Sequence, residues 1–187
     1  MTTTRRSERS RRAILDAALE LLADTGYPDL TIEAIAARAG VGKQTIYRWW
    51  RGKGAVILEA LVDGGVTDMT LPDTGDLRAD LRTVIRATVA EFADPKLSAT
   101  TRAITIETLA DEALAEQVRD QLLRPQLTAV KERLSRGEIR EGVDLDLVVE
   151  LLFGPIYHRW LLRNGPLTEE YADQLVELTM AACLRNG

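Results

Sequence analysis

The residues from Ala39 to Gly54, AGVGKQTIYRWWRGKG, concentrate cationic, amide and aromatic side chains in an acidic chain that has few other aromatic residues. Helical periodicity places Ile46 and Trp50 on one face of this segment, toward a core. The polar residues around them then face outward, where an aromatic ring beside cations has no packing role. The bases and phosphates of double-stranded DNA would provide partners for such a surface.

The outward side chains suit particular parts of a DNA duplex. Lys43 can donate to guanine O6 or N7, Gln44 can pair with adenine, and Thr45 can touch a thymine methyl group. Tyr47 and Lys53 carry donors that reach phosphates. The alternative is a solvated helix face with incidental charges, which would need no partner.

Two short helices are expected to hold these residues. Thr31 can cap the first helix and, at a helix N-terminus, is also placed to meet a phosphate. Gly40 suits the left-handed position that ends this helix. The second helix runs from about Lys43 to Trp50, and the tight connection between the two helices predicts a helix-turn-helix. In that motif the second helix lies in the major groove.

Further helices flank this pair. From Ala13, apolar residues recur at helical spacing until the stop signal TGYP at 25–28. A fourth helix starts near Lys53, and its apolar spacing continues through the paired glycines Gly64 and Gly65. The N-terminal region therefore contains a long helix, the helix-turn-helix and the start of a connecting helix.

The rest of the chain also has helical spacing, with no alternation long enough for a sheet. LPDTGD at 71–76 predicts a boundary between modules, because proline, glycine and aspartate cluster there. The predicted helices cover 77–92, 98–111, 112–136 with a kink at Pro125, about 145–163, and 168 to about 184.

The last two predicted helices are apolar on two sides, so most of the surface around each helix must be buried. We predict a homodimer in which these two helices of each subunit form a four-helix bundle. The alternative is a fully buried central hairpin within a monomer.

A mixed apolar and hydroxyl surface among the helices of residues 76–163 predicts a site for a small-molecule effector. Threonines recur with apolar residues on one face of the helix over 98–111, and four aromatic residues are available to line a pocket. The threonines could equally bond to their own helix backbone, and each aromatic residue could be plain core. The candidate effector-binding residues are Phe92, Thr101, Thr105, Phe153, Tyr157 and Trp160.

Composition bounds the class of protein. The 187 residues are 45% hydrophobic and 28% charged, close to globular averages, which argues against a disordered or membrane protein. No apolar run approaches the ~20 residues that span a bilayer, and the N-terminus lacks a signal-peptide core, so we expect no membrane partner and a cytoplasmic location. One cysteine, one histidine, no phosphate loop and no nucleophile motif predict neither a metal, a cofactor nor a catalytic site.

The net charge of −5 hides an asymmetry. Residues 1–60 carry ten Lys/Arg and seven Asp/Glu, whereas the remainder carries 14 and 22. Five arginines precede the first apolar segment, opposed there only by Glu8. A basic arm suits nucleic acid, although a merely solvated tail would explain the same residues.

The segment from about Arg11 to Leu61 resembles the DNA-binding domain of the TetR/AcrR-type family of transcriptional regulators. GYPDLTIEAIAARAGVGKQTIYRWWRGKGAVILEAL carries the family's Gly, Thr, Ile-Ala, Ala-Gly-Val, Thr-Ile-Tyr, an aromatic residue and Lys in order. One departure is Trp49, where His or Tyr is common. By this resemblance the DNA-contacting positions are Arg5 and Arg6 of the arm, Thr31, Lys43, Gln44, Thr45, Tyr47, Arg48, Trp49 and Lys53.

The resemblance implies an all-α fold of about nine helices, with an N-terminal three-helix helix-turn-helix domain followed by a helical ligand-binding and dimerisation domain. We expect the DNA-binding domain and arm at 1–52, a connecting helix and linker at 53–75, and the effector and dimerisation domain at 76–187. The expected function is a ligand-responsive regulator, a repressor that binds a palindromic operator as a homodimer and leaves it when an effector binds. The same contacts would serve an activator, depending on where the operator lies. The alternative is a helical protein-interaction adaptor without DNA binding.

Overall fold

The computed structural model describes residues 2–65, 71–136 and 139–184, with side chains from Ser7 onward. The helices are α1 Thr2–Thr25, α2 Ile32–Ala39, α3 Lys43–Tyr47, α4 Lys53–Asp63, α5 Leu77–Ala93, α6 Pro95–Ala110, α7 Glu112–Val118, α8 Arg124–Ser135, α9 Leu145–Leu162 and α10 Glu169–Cys183. A π-helical turn, Arg119–Leu123, joins α7 to α8 without a break. Counting that stretch as one helix gives nine helices in the described ranges, and the predicted all-α class is confirmed.

The chain forms two compact units that are each discontinuous in sequence. The first comprises Met1–Asp68 and Ala99–Leu123, and the second comprises Met69–Ser98 and Arg124–Gly187. Residues 99–123 thus pack with the N-terminal helices, whereas the predicted domains at 1–52, 53–75 and 76–187 are consecutive. The predicted boundaries of functional domains stay a prediction.

In the first unit, α1 packs against α2 and α4, and α2 leads into α3 through a tight turn. The side chains of Ile14, Ile35 and Ile46 are fully buried at the centre of this packing. Local chemistry sets the ends of α2. Thr31 Oγ1 accepts a hydrogen bond from Ala34 N at 3.1 Å. At the other end, Gly40 takes the left-handed conformation with φ 66°. The predicted cap and turn are confirmed.

Three predicted helix limits in this unit are wrong. α1 begins at Thr2 instead of Ala13, so the basic arm is the first part of a helix. α3 ends at Tyr47 instead of Trp50, because Trp49 N bonds to Ile46 O in a tighter turn. α4 ends at Asp63, because Gly65 adopts φ 83°, which a right-handed helix does not accommodate.

The second unit is built on α5, which packs against α10 and α9, while α8 packs on α9. The predicted α5 stripe from Leu77 to Phe92 is buried as expected. Asp76 caps this helix, since its carboxylate accepts from Ala79 N at 3.1 Å. Among the described residues, β pairing is limited to one antiparallel bridge between Ile139 and Leu184.

The predicted irregularity at Pro125 takes a specific form. Proline has no N–H to donate to the carbonyl four residues earlier, and its ring crowds that carbonyl. The chain responds by widening into the π turn Arg119–Leu123 immediately before the proline. The predicted single helix over 112–136 is therefore continuous but contains one π-helical turn.

Candidate nucleic-acid interface

The short helix α3 separates buried from exposed side chains. Ile46 is 0% and Trp50 is 4% exposed, so both belong to the core of the first unit. On the other side, Lys43, Gln44, Tyr47 and Arg48 are exposed and Thr45 is half-buried. The structure thus brings the predicted DNA-reading side chains of this helix onto one accessible surface.

Trp50 anchors the end of this segment. Its indole Nε1 donates to Glu59 Oε2 on α4 at 2.6 Å. Glu59 Oε1 in turn accepts from Arg11 Nε of α1 at 2.6 Å, and Arg11 also pairs with Asp63. The ring of Trp49 is half-buried with its centroid 5.4 Å from that of Trp50. A buried aromatic side chain and a charged network therefore fix the direction in which α3 presents its outer face.

Lys43, the predicted reader of guanine, is paired with an acid. Its ammonium nitrogen lies 2.9 Å from Glu33 Oε1 in the first turn of α2. The hydrogen bond from Lys43 lowers the pKa of the Glu33 carboxyl, and the same contact raises the pKa of Lys43. Both side chains are exposed, so the pair lies on the surface that would meet DNA.

Lys53, a predicted phosphate contact, holds the loop before α2. Its ammonium donates to the carbonyls of Tyr27 at 2.9 Å and Leu30 at 3.0 Å. It also lies 4.5 Å from the centroid of the Tyr27 ring. An ammonium has three donors, so two are directed to the protein and one is left for a phosphate. Burial, with the Glu107 carboxylate nearby, raises the pKa of Tyr27.

The start of α4 touches α6 and α7 at Gly54. A Cβ atom at this position would lie 2.3 Å from Glu107 Oε2 and 2.9 Å from Leu114 Cδ2. Only a glycine lets α6 and α7 approach the start of α4 this closely. Sequence reasoning missed this contact, for which the only signal was a glycine near the start of a helix.

The predicted arm is only partly described. Arg5 and Arg6 belong to α1, but their side chains lie outside the described residues. Thr31 is exposed at the N-terminus of α2, where its hydroxyl oxygen already serves as the cap. Its hydroxyl proton is left as a donor, so a phosphate contact by Thr31 stays a prediction.

The predicted effector residues fall into two groups. Phe92, Tyr157 and Trp160 pack edge to face in the second unit, with the Phe92 centroid 4.9 Å from Tyr157 and 4.8 Å from Trp160. Trp160 Nε1 donates to Ser98 Oγ at 2.7 Å. Phe153 is half-buried against the core of the same unit. Phe92, Tyr157 and Trp160 are thus close together, as a pocket wall requires.

Thr101 and Thr105 belong to the first unit instead. The Thr105 hydroxyl donates to its own helix at Thr101 O, at 2.8 Å. Thr108 likewise donates to Ile104 O at 3.1 Å. The structure therefore shows the backbone bonding that the sequence left open as an alternative.

Large apolar side chains remain exposed on the last two helices. Leu162 is 60% and Leu178 is 72% exposed in the single chain. We name the exposed apolar side chains of α9 and α10 the outer face: Leu147, Leu151, Leu161, Leu162 and Leu178. Exposing such an apolar surface to water does not stabilise a monomer, and a patch of this kind indicates an interaction site.

Within the described ranges, no helix combines the length and the apolar character needed to cross a membrane. In the same ranges, no three His, Cys, Asp or Glu side chains come together as a metal site.

The helix-turn-helix and its helical second unit define a class of DNA-binding regulators, and comparisons with known proteins specify it further. Residues 14–60 match the family model for bacterial regulatory proteins of the tetR family. Residues 71–179 match the tetracyclin repressor-like C-terminal domain. The chain therefore belongs to the TetR family and is a transcriptional regulator with a ligand-binding C-terminal domain. This is not an enzyme family, and the adaptor alternative is not favoured.

Individual relatives agree with this family. The uncharacterized HTH-type transcriptional regulator YdeS of Bacillus subtilis (strain 168) is 33% identical over 176 residues, covering 91% of this chain and 88% of YdeS. The DNA-binding transcriptional repressor TetR of Mycobacteroides abscessus is 29% identical over 187 residues, covering 97% of both. The crystal structure of the TetR family transcription regulator SCO0332 superposes with a TM-score of 0.78 at 32% identity, covering 91% of this chain and 96% of that one.

Proposed function

We propose that this regulator is a cytoplasmic repressor that binds a palindromic operator as a homodimer and is released by a small apolar effector. The observation that carries the DNA-binding part is the outer surface of α3. Its cationic, amide and phenolic side chains are exposed, while Ile46 and Trp50 are buried in the core of the first unit. Half-sites about 10 base pairs apart, or a related multiple, would match such a dimer.

The contacts on α3 can be tested on a selected operator. The strongest duplex recovered from a random library with the natural protein serves as the probe. A Lys43→Ala, Tyr47→Phe variant should bind it at least about tenfold more weakly, since the lost Lys43 base contact is worth ~1–3 kcal/mol in each subunit and Tyr47 also loses its phosphate contact. Lys96→Gln removes an exposed charge in the second unit and should bind like the natural protein. Unchanged affinity of the double variant would refute the assigned contacts.

The outer face supports the homodimer. Association would cover the exposed leucines of α9 and α10 as a four-helix bundle. Leu151→Glu with Leu178→Glu should convert a dimer into a monomer in sedimentation at micromolar concentration, because charges would be buried without partners. Leu109→Glu on α6 changes a side chain that is 79% exposed and should stay dimeric. A natural protein that sediments as a monomer contradicts the proposal.

The aromatic cluster supports the effector site. Phe92, Phe153, Tyr157 and Trp160 provide an apolar wall, and Tyr157 is 38% exposed, so a ligand can reach it. Thr101 and Thr105 of α6 belong to the first unit, and their part in effector binding stays a prediction. A panel of apolar aromatic compounds should include one that releases the operator from the natural protein. Tyr157→Ala should bind DNA normally and lose that release, whereas equal release from the variant would remove Tyr157 from the site.

The contact at Gly54 supports coupling between effector and DNA. Glu107 of α6 and Leu114 of α7 contact the first turn of α4 at Gly54. A shift of α6 would therefore move the start of α4. An effector acts only through its different affinity for the two resulting states.

A further inference from the structure

The contact between Glu33 and Lys43 joins the two helices of the helix-turn-helix. Glu33 lies in the first turn of α2 and Lys43 is the first residue of α3. Their charged atoms are 2.9 Å apart, and the side chains are 62% and 54% exposed. The pair therefore bridges the two helices on the surface proposed to face DNA.

Stability does not explain this pair. An ion pair between two exposed side chains contributes little, because water and salt screen it and ordering the side chains costs entropy. The position of the Glu33–Lys43 pair bears on DNA binding instead. Glu33 follows Thr31, the proposed phosphate contact, by two residues on the same helix. A carboxylate here neutralises Lys43, the one cation of α3 and its predicted reader of guanine.

We propose that Glu33 is a specificity-determining residue that acts through Lys43, an inference that rests on the proposed DNA-binding function. On a duplex without a suitable base, Lys43 stays paired with Glu33 and adds nothing to the general attraction for phosphates. On the operator, a guanine accepts one of the three ammonium protons while Glu33 keeps another. Glu33 thus weakens binding to all DNA but weakens it least on the operator, and specificity is this difference in affinity.

A charge-matched pair of variants tests the proposal. Glu33→Gln removes the carboxylate charge and keeps the side-chain shape. Glu20→Gln is the control, because Glu20 is also exposed and pairs with Arg38 on α2 at 3.0 Å in the same unit. Both variants change the net charge equally. Dissociation constants are measured over a range of salt concentrations, for the selected operator and for a shuffled duplex of the same length and composition.

Glu33→Gln should bind the shuffled duplex about tenfold more tightly. The slope of log affinity against log salt should steepen by about two per dimer, because each freed lysine releases roughly one more counterion. Operator affinity should rise less, so the ratio of specific to shuffled binding falls. Glu20→Gln should leave this ratio within twofold of the natural value. A ratio that Glu33→Gln leaves unchanged, or that both variants lower equally, overturns the proposal.

A third variant isolates the role of Lys43. In a Lys43→Gln background, Glu33→Gln should leave the ratio unchanged. A ratio that still falls would show that Glu33 acts on specificity by a route other than Lys43, and the assignment through Lys43 would be wrong. Failure of the natural protein to prefer any selected duplex over the shuffled one would instead refute the proposed function itself. Equal melting temperatures for the variants and the natural protein would show that folding is unaffected.

Discussion

Replacing Gly54 by alanine tests how closely α6 and α7 are packed against the start of α4. Gly54 is buried, and its neighbours leave no room for a side chain. An added Cβ would lie 2.3 Å from Glu107 Oε2 and 2.9 Å from Leu114 Cδ2, where ordinary contact begins at 3.4 Å. The Glu107 carboxylate ends a flexible side chain and can swing aside. Leu114 is only 6% exposed and must move by about half an ångström into its own neighbours.

The magnitude follows from two opposing effects. Overpacking of this kind costs about 1–3 kcal/mol. Alanine in a helix is favoured over glycine by up to about 1 kcal/mol, which offsets part of that cost. The Gly54→Ala variant should therefore be less stable than the natural protein by about 1–2 kcal/mol, within the range of ordinary core substitutions.

Urea unfolding followed by circular dichroism measures this difference as a lower midpoint. Gly52→Ala is the matched control, because Gly52 is extended and a Cβ there would meet nothing within 4 Å. Adding Glu107→Ala to Gly54→Ala should restore only part of the loss, since Leu114 still blocks the new methyl group. If Gly54→Ala unfolds at the same urea concentration as Gly52→Ala, the close packing inferred at this contact is wrong.

The parts of the fold that could be predicted from the sequence are governed by neighbouring residues. Thr31 and Asp76 cap helices by accepting from an N–H three residues ahead, and Gly40 ends α2 because glycine tolerates a left-handed conformation. The α5 stripe was equally clear, since all six of its predicted positions, Leu77, Leu81, Val84, Ile85, Val89 and Phe92, are buried. Such features depend on a few adjacent side chains, so spacing alone specifies them.

The features that sequence reasoning missed depend on distant partners. Lys53 is predicted to reach a phosphate, and only the fold shows that two loop carbonyls and the Tyr27 ring also surround its ammonium. Arg11 stands among the arginines of the predicted arm, yet α4 supplies Glu59 and Asp63 as its partners. The charge of a side chain is visible in a sequence, but the group that neutralises it depends on tertiary packing.

The start of α1 and the composition of the first unit could not be predicted, for related reasons. The segment before Ala13 has no apolar stripe, so periodicity could not detect it, but a helix already nucleated can extend through polar residues. The packing of residues 99–123 against the N-terminal helices has no local signature either. The exposed surface of α3 was easier to predict, because the buried Ile46 in α3 and the buried Trp50 just after it lie four residues apart.

Three further perturbations probe individual contacts by urea unfolding. Thr31→Val removes the cap of α2 and should cost about 1 kcal/mol, whereas Thr31→Ser should retain most of that stability. Trp50→Phe removes the donor to the Glu59 carboxylate and should cost about 2 kcal/mol, more than any loss from the exposed Tyr47→Phe. Arg86 donates to Asp173 and lowers the pKa of that carboxyl below its ordinary 3.8. This contact therefore stabilises the protein above about pH 4, and the stabilisation is lost as acid protonates Asp173. Arg86→Gln should therefore be less stable at pH 7 and lose less on acidification to pH 3; a midpoint that falls with acid as steeply as in the natural protein would show that Arg86 does not hold Asp173 ionised.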